Sequence, residues 1–141
     1  MDHREFGLIR QKFRRTQKQM AELLGTSVKA IQSFEQGWRK VPVYIERQLL
    51  FLWATKMGVA RGKSPCWKIR ACPPQVRESC PAWEFKSGRL CWFINGTLCQ
   101  GKAQGTWAKK MKLCRKCEVF TSAMNDRNVP RERKRLQPHR S

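Results

Sequence analysis

All seven cysteines of this 141-residue chain lie between positions 66 and 117, at Cys66, Cys72, Cys80, Cys91, Cys99, Cys114 and Cys117. A thiolate is both a nucleophile and a soft metal ligand, so such a group offers iron–sulfur cluster binding, zinc binding or reversible thiol oxidation. The pair Cys114-x2-Cys117 is the sharpest local signal, because two intervening residues let both sulfurs face one centre. A zinc ribbon calls for two such pairs, and a c-type haem site would need His where Glu118 stands. An odd count speaks against a closed disulfide framework. All seven are therefore candidate metal ligands, with free redox thiols and thiols packed as small hydrophobes as the alternatives.

Other chemistry is sparse. No nucleophile–base triad, phosphate loop or paired carboxylates can be read from the chain, and the expectation is a binding protein rather than an enzyme. A redox enzyme using Cys114 and Cys117 as a dithiol would need a βαβ context that the pattern lacks. His3 and His139 lie near the two ends and are not expected to be ligands. Glu78 and Glu84 sit among the cysteines, but in a segment this basic they are expected to be charge partners.

Thirty Lys and Arg against ten Asp and Glu give a formal charge of +20 and a pI near 10.5. Such a chain attracts polyanions, nucleic acid first and an anionic membrane surface second. Residues 1–57 hold 11 basic and 5 acidic side chains, and residues 58–120 hold 13 and 3. The basic excess is thus largest around the cysteines. The longest apolar run, Leu49 to Ala54, is far below the roughly 20 residues of a membrane span. The start of the chain is charged and lacks the apolar stretch of a secretory signal, so a cytoplasmic protein without membrane contact is expected.

The first third reads as helices. Phe6, Ile9 and Phe13 share one face of a first helix, and Thr16 can cap a second in which Met20, Ala21 and Leu24 point inward. Gly25 suits a left-handed stop, Ser27 can cap a third helix, Ile31 and Phe34 supply its buried face, and Gly37 ends it. After Pro42 a fourth helix can run to Met57 with Ile45, Leu49, Leu52 and Trp53 on one side. Residues 58–65 have the Gly, Ser and Pro content of a linker.

Residues 16–42, TQKQMAELLGTSVKAIQSFEQGWRKVP, resemble the helix-turn-helix of Cro and C1 type repressors, the XRE family. The likeness rests on Gln17, Ala21, Leu24, Gly25, Ser27, Ile31, Phe34, the Glu35-x-Gly37 ending, the basic loop and Pro42. It implies that the third helix enters the major groove of double-stranded DNA as part of a homodimer. The DNA-binding set it implies is Gln17, Ser27, Val28, Lys29, Gln32, Ser33, Arg39 and Lys40. Lys29 would donate to guanine, Gln32 and Ser33 to polar base edges, and Val28 would meet a thymine methyl. Gln17, Arg39 and Lys40 would hold the backbone. Trp38 departs from the usual polar residue and suggests an interface, and Phe51 on the fourth helix is a candidate dimer contact.

The dipeptides Cys66-Trp67 and Cys91-Trp92 open a second resemblance. With Cys80-Pro81-Ala82, Gly96-Thr97-Leu98-Cys99, Gln104-Gly105-Thr106, Lys109-Lys110 and Cys114-x2-Cys117-x2-Phe120, they are similar to the two-CW module of sensory and chemotaxis proteins from anaerobic bacteria. That setting favours an iron–sulfur cluster, with zinc as the alternative. Trp67, Trp83, Trp92, Trp107, Phe93 and Phe120 would supply most of the packing.

The expected fold is mainly α. A repressor-like domain of four to five helices occupies residues 1–57, a linker 58–65, a small irregular cysteine-rich domain 66–120, and a basic disordered tail 121–141. The expected function is transcription regulation by sequence-specific DNA binding that responds to metal or redox state. The rival is an antitoxin-like or adaptor protein whose cysteine-rich domain binds a protein partner.

Overall fold

The computed structural model describes residues 1–57 and 64–124, and these are mainly helical with no strand among them. The chain divides into two compact units, one of Met1–Trp53 and one beginning at Ala54. The division falls inside the fourth helix, upstream of the stretch expected as a linker. Residues 58–63 lie outside the described residues, while Pro65 is buried and caps the first helix of the cysteine-rich part.

Four helices make the first unit, and local chemistry sets their ends. Helix α1, His3–Phe13, begins where the Asp2 carboxylate accepts from the Glu5 N–H at 2.8 Å. Helix α2, Gln17–Leu24, starts with a reciprocal capping box between Thr16 and Gln19 and stops at Gly25, whose φ of 68° is left-handed. Helix α3, Val28–Gln36, is capped by the Ser27 hydroxyl, which accepts from the Ala30 N–H at 3.0 Å. Gly37 closes it with φ 77°. Helix α4, Val43–Lys56, follows Pro42.

The expected inward faces are the observed ones in α1 to α3: Phe6, Ile9, Phe13, Met20, Ala21, Leu24, Ile31 and Phe34 are all buried. Edge-on ring contacts of Phe6 with Phe34 at 5.6 Å and of Phe13 with Trp53 at 5.3 Å tie α1 to α3 and to α4. In α4 the buried stripe is Ile45, Glu46, Leu49, Leu50, Trp53 and Ala54. Leu52, expected inside, is half-buried, because the stripe runs in two adjacent rows that advance by four residues and leave position 52 at the edge. Phe51, expected on an open dimer face, is also half-buried.

The cysteine-rich unit is more helical than its sequence suggests. Three single turns, α5 (Cys66–Ile69), α6 (Pro74–Arg77) and α7 (Pro81–Glu84), precede a 3-10 turn at Cys99–Gly101 and the longer α8 (Trp107–Cys114) and α9 (Glu118–Met124). Proline starts each single turn, as cap at Pro65 and as the first helical residue at Pro74 and Pro81. Its ring presets φ where no N–H bond is needed. Residues 121–124, expected in the tail, complete α9, and residues 125–141 lie outside the described residues.

Aromatic packing holds this unit, as expected. Trp92 is fully buried, with Phe120 at 5.3 Å and Phe93 at 6.2 Å, and Trp107 is buried on α8. Trp67 packs edge-on against Trp83 at 4.8 Å. No helix among the described residues is long and apolar enough to cross a membrane.

Candidate functional site

Helix α3 presents one buried and one open face. Ala30, Ile31 and Phe34 are buried, whereas Val28, Lys29 and Gln32 are exposed and Ser33 is half-buried. The spacing of the core residues forces this, since a helix that buries positions 30, 31 and 34 turns 28, 29, 32 and 33 away. The structure thus brings the four expected reading residues onto one surface. Ser27 is exposed as well, with its hydroxyl engaged in the cap. In the loop that follows, Arg39 and Lys40 are exposed, the Arg39 guanidinium standing 5.4 Å from the Phe34 ring centre. Trp38 is 79 % exposed.

Gln17 stands at the first turn of α2, but its side chain has a partner inside the unit. Its amide donates to one Glu35 carboxylate oxygen at 2.6 Å, and Arg10 donates to the other. Arg10 also donates to the Arg15 carbonyl at 2.9 Å. This network joins α1, α2 and α3 and was not legible in the sequence. It leaves Gln17 one amide hydrogen and its main-chain N–H for an anion at the start of α2.

The cysteines converge. A cavity of about 350 Å³ is lined by Cys66, Cys72, Cys80, Cys91 and Cys99, and one of about 190 Å³ by Cys91, Cys99, Cys114 and Cys117. Cys91 and Cys99 line both, so the seven cysteines line two spaces with shared walls. Among the described residues no three His, Cys, Asp or Glu side chains are grouped to hold one metal ion. The seven cysteines are instead distributed over the walls of the two cavities. Thiolates on a single zinc would lie within about 4 Å of one another, given Zn–S bonds of about 2.3 Å.

The two Cys-Trp dipeptides meet within this arrangement. Cys66 and Cys91 are hydrogen-bonded through their sulfurs; the bond pulls the Cys66 thiol down and, with burial, drives Cys91 far up. Burial also raises Cys72, Cys99 and Cys114. Cys80 Sγ accepts from the Leu98 N–H at 3.3 Å.

Close approach at Gly88 makes the meeting possible. Its carbonyl accepts from the Cys66 N–H at 2.8 Å, and a Cβ at position 88 would fall 2.6 Å from both Pro65 and Trp67.

Two polar groups beside the thiols have no obvious sequence signal. Lys110 is only 3 % exposed, and its ammonium donates to the hydroxyl of Thr97, itself buried and lining the larger cavity. Its charge favours the thiolate form of Cys66, Cys91, Cys99 and Cys114. Trp92 lines the smaller cavity, and its buried indole N–H has no hydrogen-bond partner among the described residues. In sequence Lys110 is half of a Lys-Lys pair and Trp92 half of a Cys-Trp pair, which suggests a solvated charge and a packing ring. No family model, no curated protein and no solved structure matches this chain.

Proposed function

We propose that the protein is a DNA-binding transcription regulator of the Cro/C1 type whose cysteine-rich unit reports metal or redox state. The observation that carries this reading is the open face of α3. Val28, Lys29, Gln32 and Ser33 lie together on a helix anchored from behind by Ile31 and Phe34, with exposed Arg39 and Lys40 just beyond it. A rigid helix with hydrogen-bonding side chains and flanking cations is what major-groove reading requires. The formal charge of +20 supplies the attraction to phosphate. Double-stranded DNA is the proposed partner, bound by a homodimer.

The cysteine-rich unit fits a thiolate-held inorganic group by its donors. Seven cysteines line the two cavities, Trp92 with its orphaned indole N–H lines one of them, and the buried Lys110 ammonium is bonded to Thr97 of the other. An iron–sulfur cluster held by four of these cysteines is the favoured occupant, since four cysteines line the smaller cavity and five the larger; zinc is the alternative. Such a cluster supplies a one-electron redox change. The chain's own residues supply the ligands, exclude water with Trp92 and Phe120, and balance charge.

The test is selection of duplexes from a random pool by the full-length protein prepared without oxygen, followed by affinity measurements at several salt concentrations. One enriched sequence is expected, with log K falling by about 0.9 per phosphate neutralised for each log unit of salt. Recovery of the pool unenriched would overturn the reading. A protein-binding adaptor is the second reading, favoured by the exposed side chains of Trp38, Val43 and Tyr44. It predicts that Trp38→Ser abolishes capture of a partner and leaves DNA affinity unchanged.

A further inference from the structure

We propose that Lys110 is the buried counter-cation of an anionic thiolate-bound metal group and, together with the Trp92 N–H, sets that group's retention and reduction potential. This rests on the reading of the cysteine cavities as a metal centre.

The argument starts from charge. An ammonium that is 3 % exposed has lost most of its water, and that loss is costly unless an anion or several hydrogen bonds replace it. Lys110 has one hydrogen bond, to a neutral hydroxyl, and no carboxylate pairs with it among the described residues. The acids of this unit among the described residues, Glu78, Glu84 and Glu118, are exposed. The thiols of Cys66, Cys91, Cys99 and Cys114 all feel this charge. Thr97, which accepts from Lys110, lines the same cavity as five thiols, and Cys114 lies four residues further along α8, on the same face.

Trp92 gives an independent pointer to the same kind of ligand. A buried indole N–H without an acceptor is costly, and it belongs to a residue lining the same cavity as Cys91, Cys99, Cys114 and Cys117. Both groups are donors, and one is cationic. A group that brings acceptors and negative charge satisfies both, and a metal bound by thiolates does so because each deprotonated cysteine contributes a negative charge. Hydrogen bonds and net charge at the sulfurs are also the known levers on cluster potential.

The experiment compares wild type, Lys110→Met and Lys110→Arg, each as the full chain prepared without oxygen. Iron, sulfide and zinc are assayed, the midpoint potential is measured, and urea stability is followed with and without the metal. Wild type is expected to hold metal. Lys110→Met should lose it to a chelator on the order of tenfold faster and, for a cluster, shift the midpoint negative; Lys110→Arg should stay near wild type. In the metal-free state Lys110→Met should be as stable as wild type or more stable, because an uncompensated buried charge has gone. Equal destabilisation with and without metal would make Lys110 a packing residue and overturn the inference. So would unchanged metal retention and potential in Lys110→Met. Wild type free of iron, sulfide and zinc would overturn the metal-centre reading itself, and the inference with it.

Discussion

The side-chain amide of Gln17 donates to Glu35 at 2.6 Å, and the other oxygen of the same carboxylate accepts from Arg10. Glu35 therefore fastens the start of α2 and the end of α1 to α3, the helix proposed to read DNA. Glu35→Ala would leave the Arg10 guanidinium buried without its carboxylate, since Arg10 is only 7 % exposed. A loss on the order of 3 kcal/mol is expected. Urea unfolding followed by circular dichroism measures it, and Gln17→Ala should cost less, because it removes one neutral donor from a carboxylate that keeps Arg10.

Gly88 offers a test in the cysteine-rich unit. Replacing it by Ala would place a Cβ 2.6 Å from Pro65 and Trp67, in a turn held by the Cys66 N–H bond to its own carbonyl. The first Cys-Trp pair must then move away from the second. The expected cost is about 1–3 kcal/mol, read from the urea midpoint by tryptophan fluorescence, together with a lower metal content in protein prepared without oxygen.

Legibility differed between the units for physical reasons. Thr16, Gly25, Ser27 and Gly37 act within three or four residues, so their caps and left-handed stops could be read directly, and the 3.6-residue period then assigned the buried faces of α1 to α3. Leu50 and Leu52 were harder, because a stripe as broad as that of α4 leaves the edge undetermined by period alone. The turns α5, α6 and α7 are four residues each, too short to show a period. Cys66 and Cys91 meet across 25 positions, and no local rule reports such a contact. Lys109 and Lys110 look alike in sequence, yet only Lys110 is buried, because its face of α8 is also that of Cys114.

The thiols predict the alkaline behaviour of the metal-free protein. Cys72, Cys91, Cys99 and Cys114 are raised in the folded state, chiefly by burial, or for Cys91 chiefly by its bond to Cys66. As pH rises past the ordinary thiol value of about 8.5, these groups ionise in the unfolded chain before they do in the folded one. The unfolded state then binds fewer protons, and stability falls. Cys66 is lowered and acts in the opposite sense, adding stability above its ordinary value, but it is one group against four. Urea midpoints of chelator-treated, reduced protein are therefore expected to decline from pH 8 upward. A midpoint that rises over that range would contradict the assignment. The same shifts make Cys66 the first of these five to react with iodoacetamide as pH is raised, which peptide mass spectrometry resolves.

Lys29 and Arg39 separate sequence reading from charge attraction. Both are exposed and cationic, but Lys29 lies on the open face of α3, whereas Arg39 lies in the loop beyond Gly37 with its guanidinium over the Phe34 ring. A lysine that donates to a guanine edge discriminates that base from others by about 1–3 kcal/mol. A residue that neutralises a phosphate acts on every sequence and contributes to the salt dependence. Lys29→Ala should accordingly weaken the selected duplex and relax preference at one base pair while leaving random DNA nearly unaffected. Arg39→Ala should weaken both duplexes by a similar factor and reduce the salt slope by about one phosphate. Titration of each variant against selected and random duplexes at two salt concentrations decides the matter. Equal losses on the two duplexes for Lys29→Ala would remove that residue from the reading surface, and the assignment of α3 would then rest on Gln32 and Ser33.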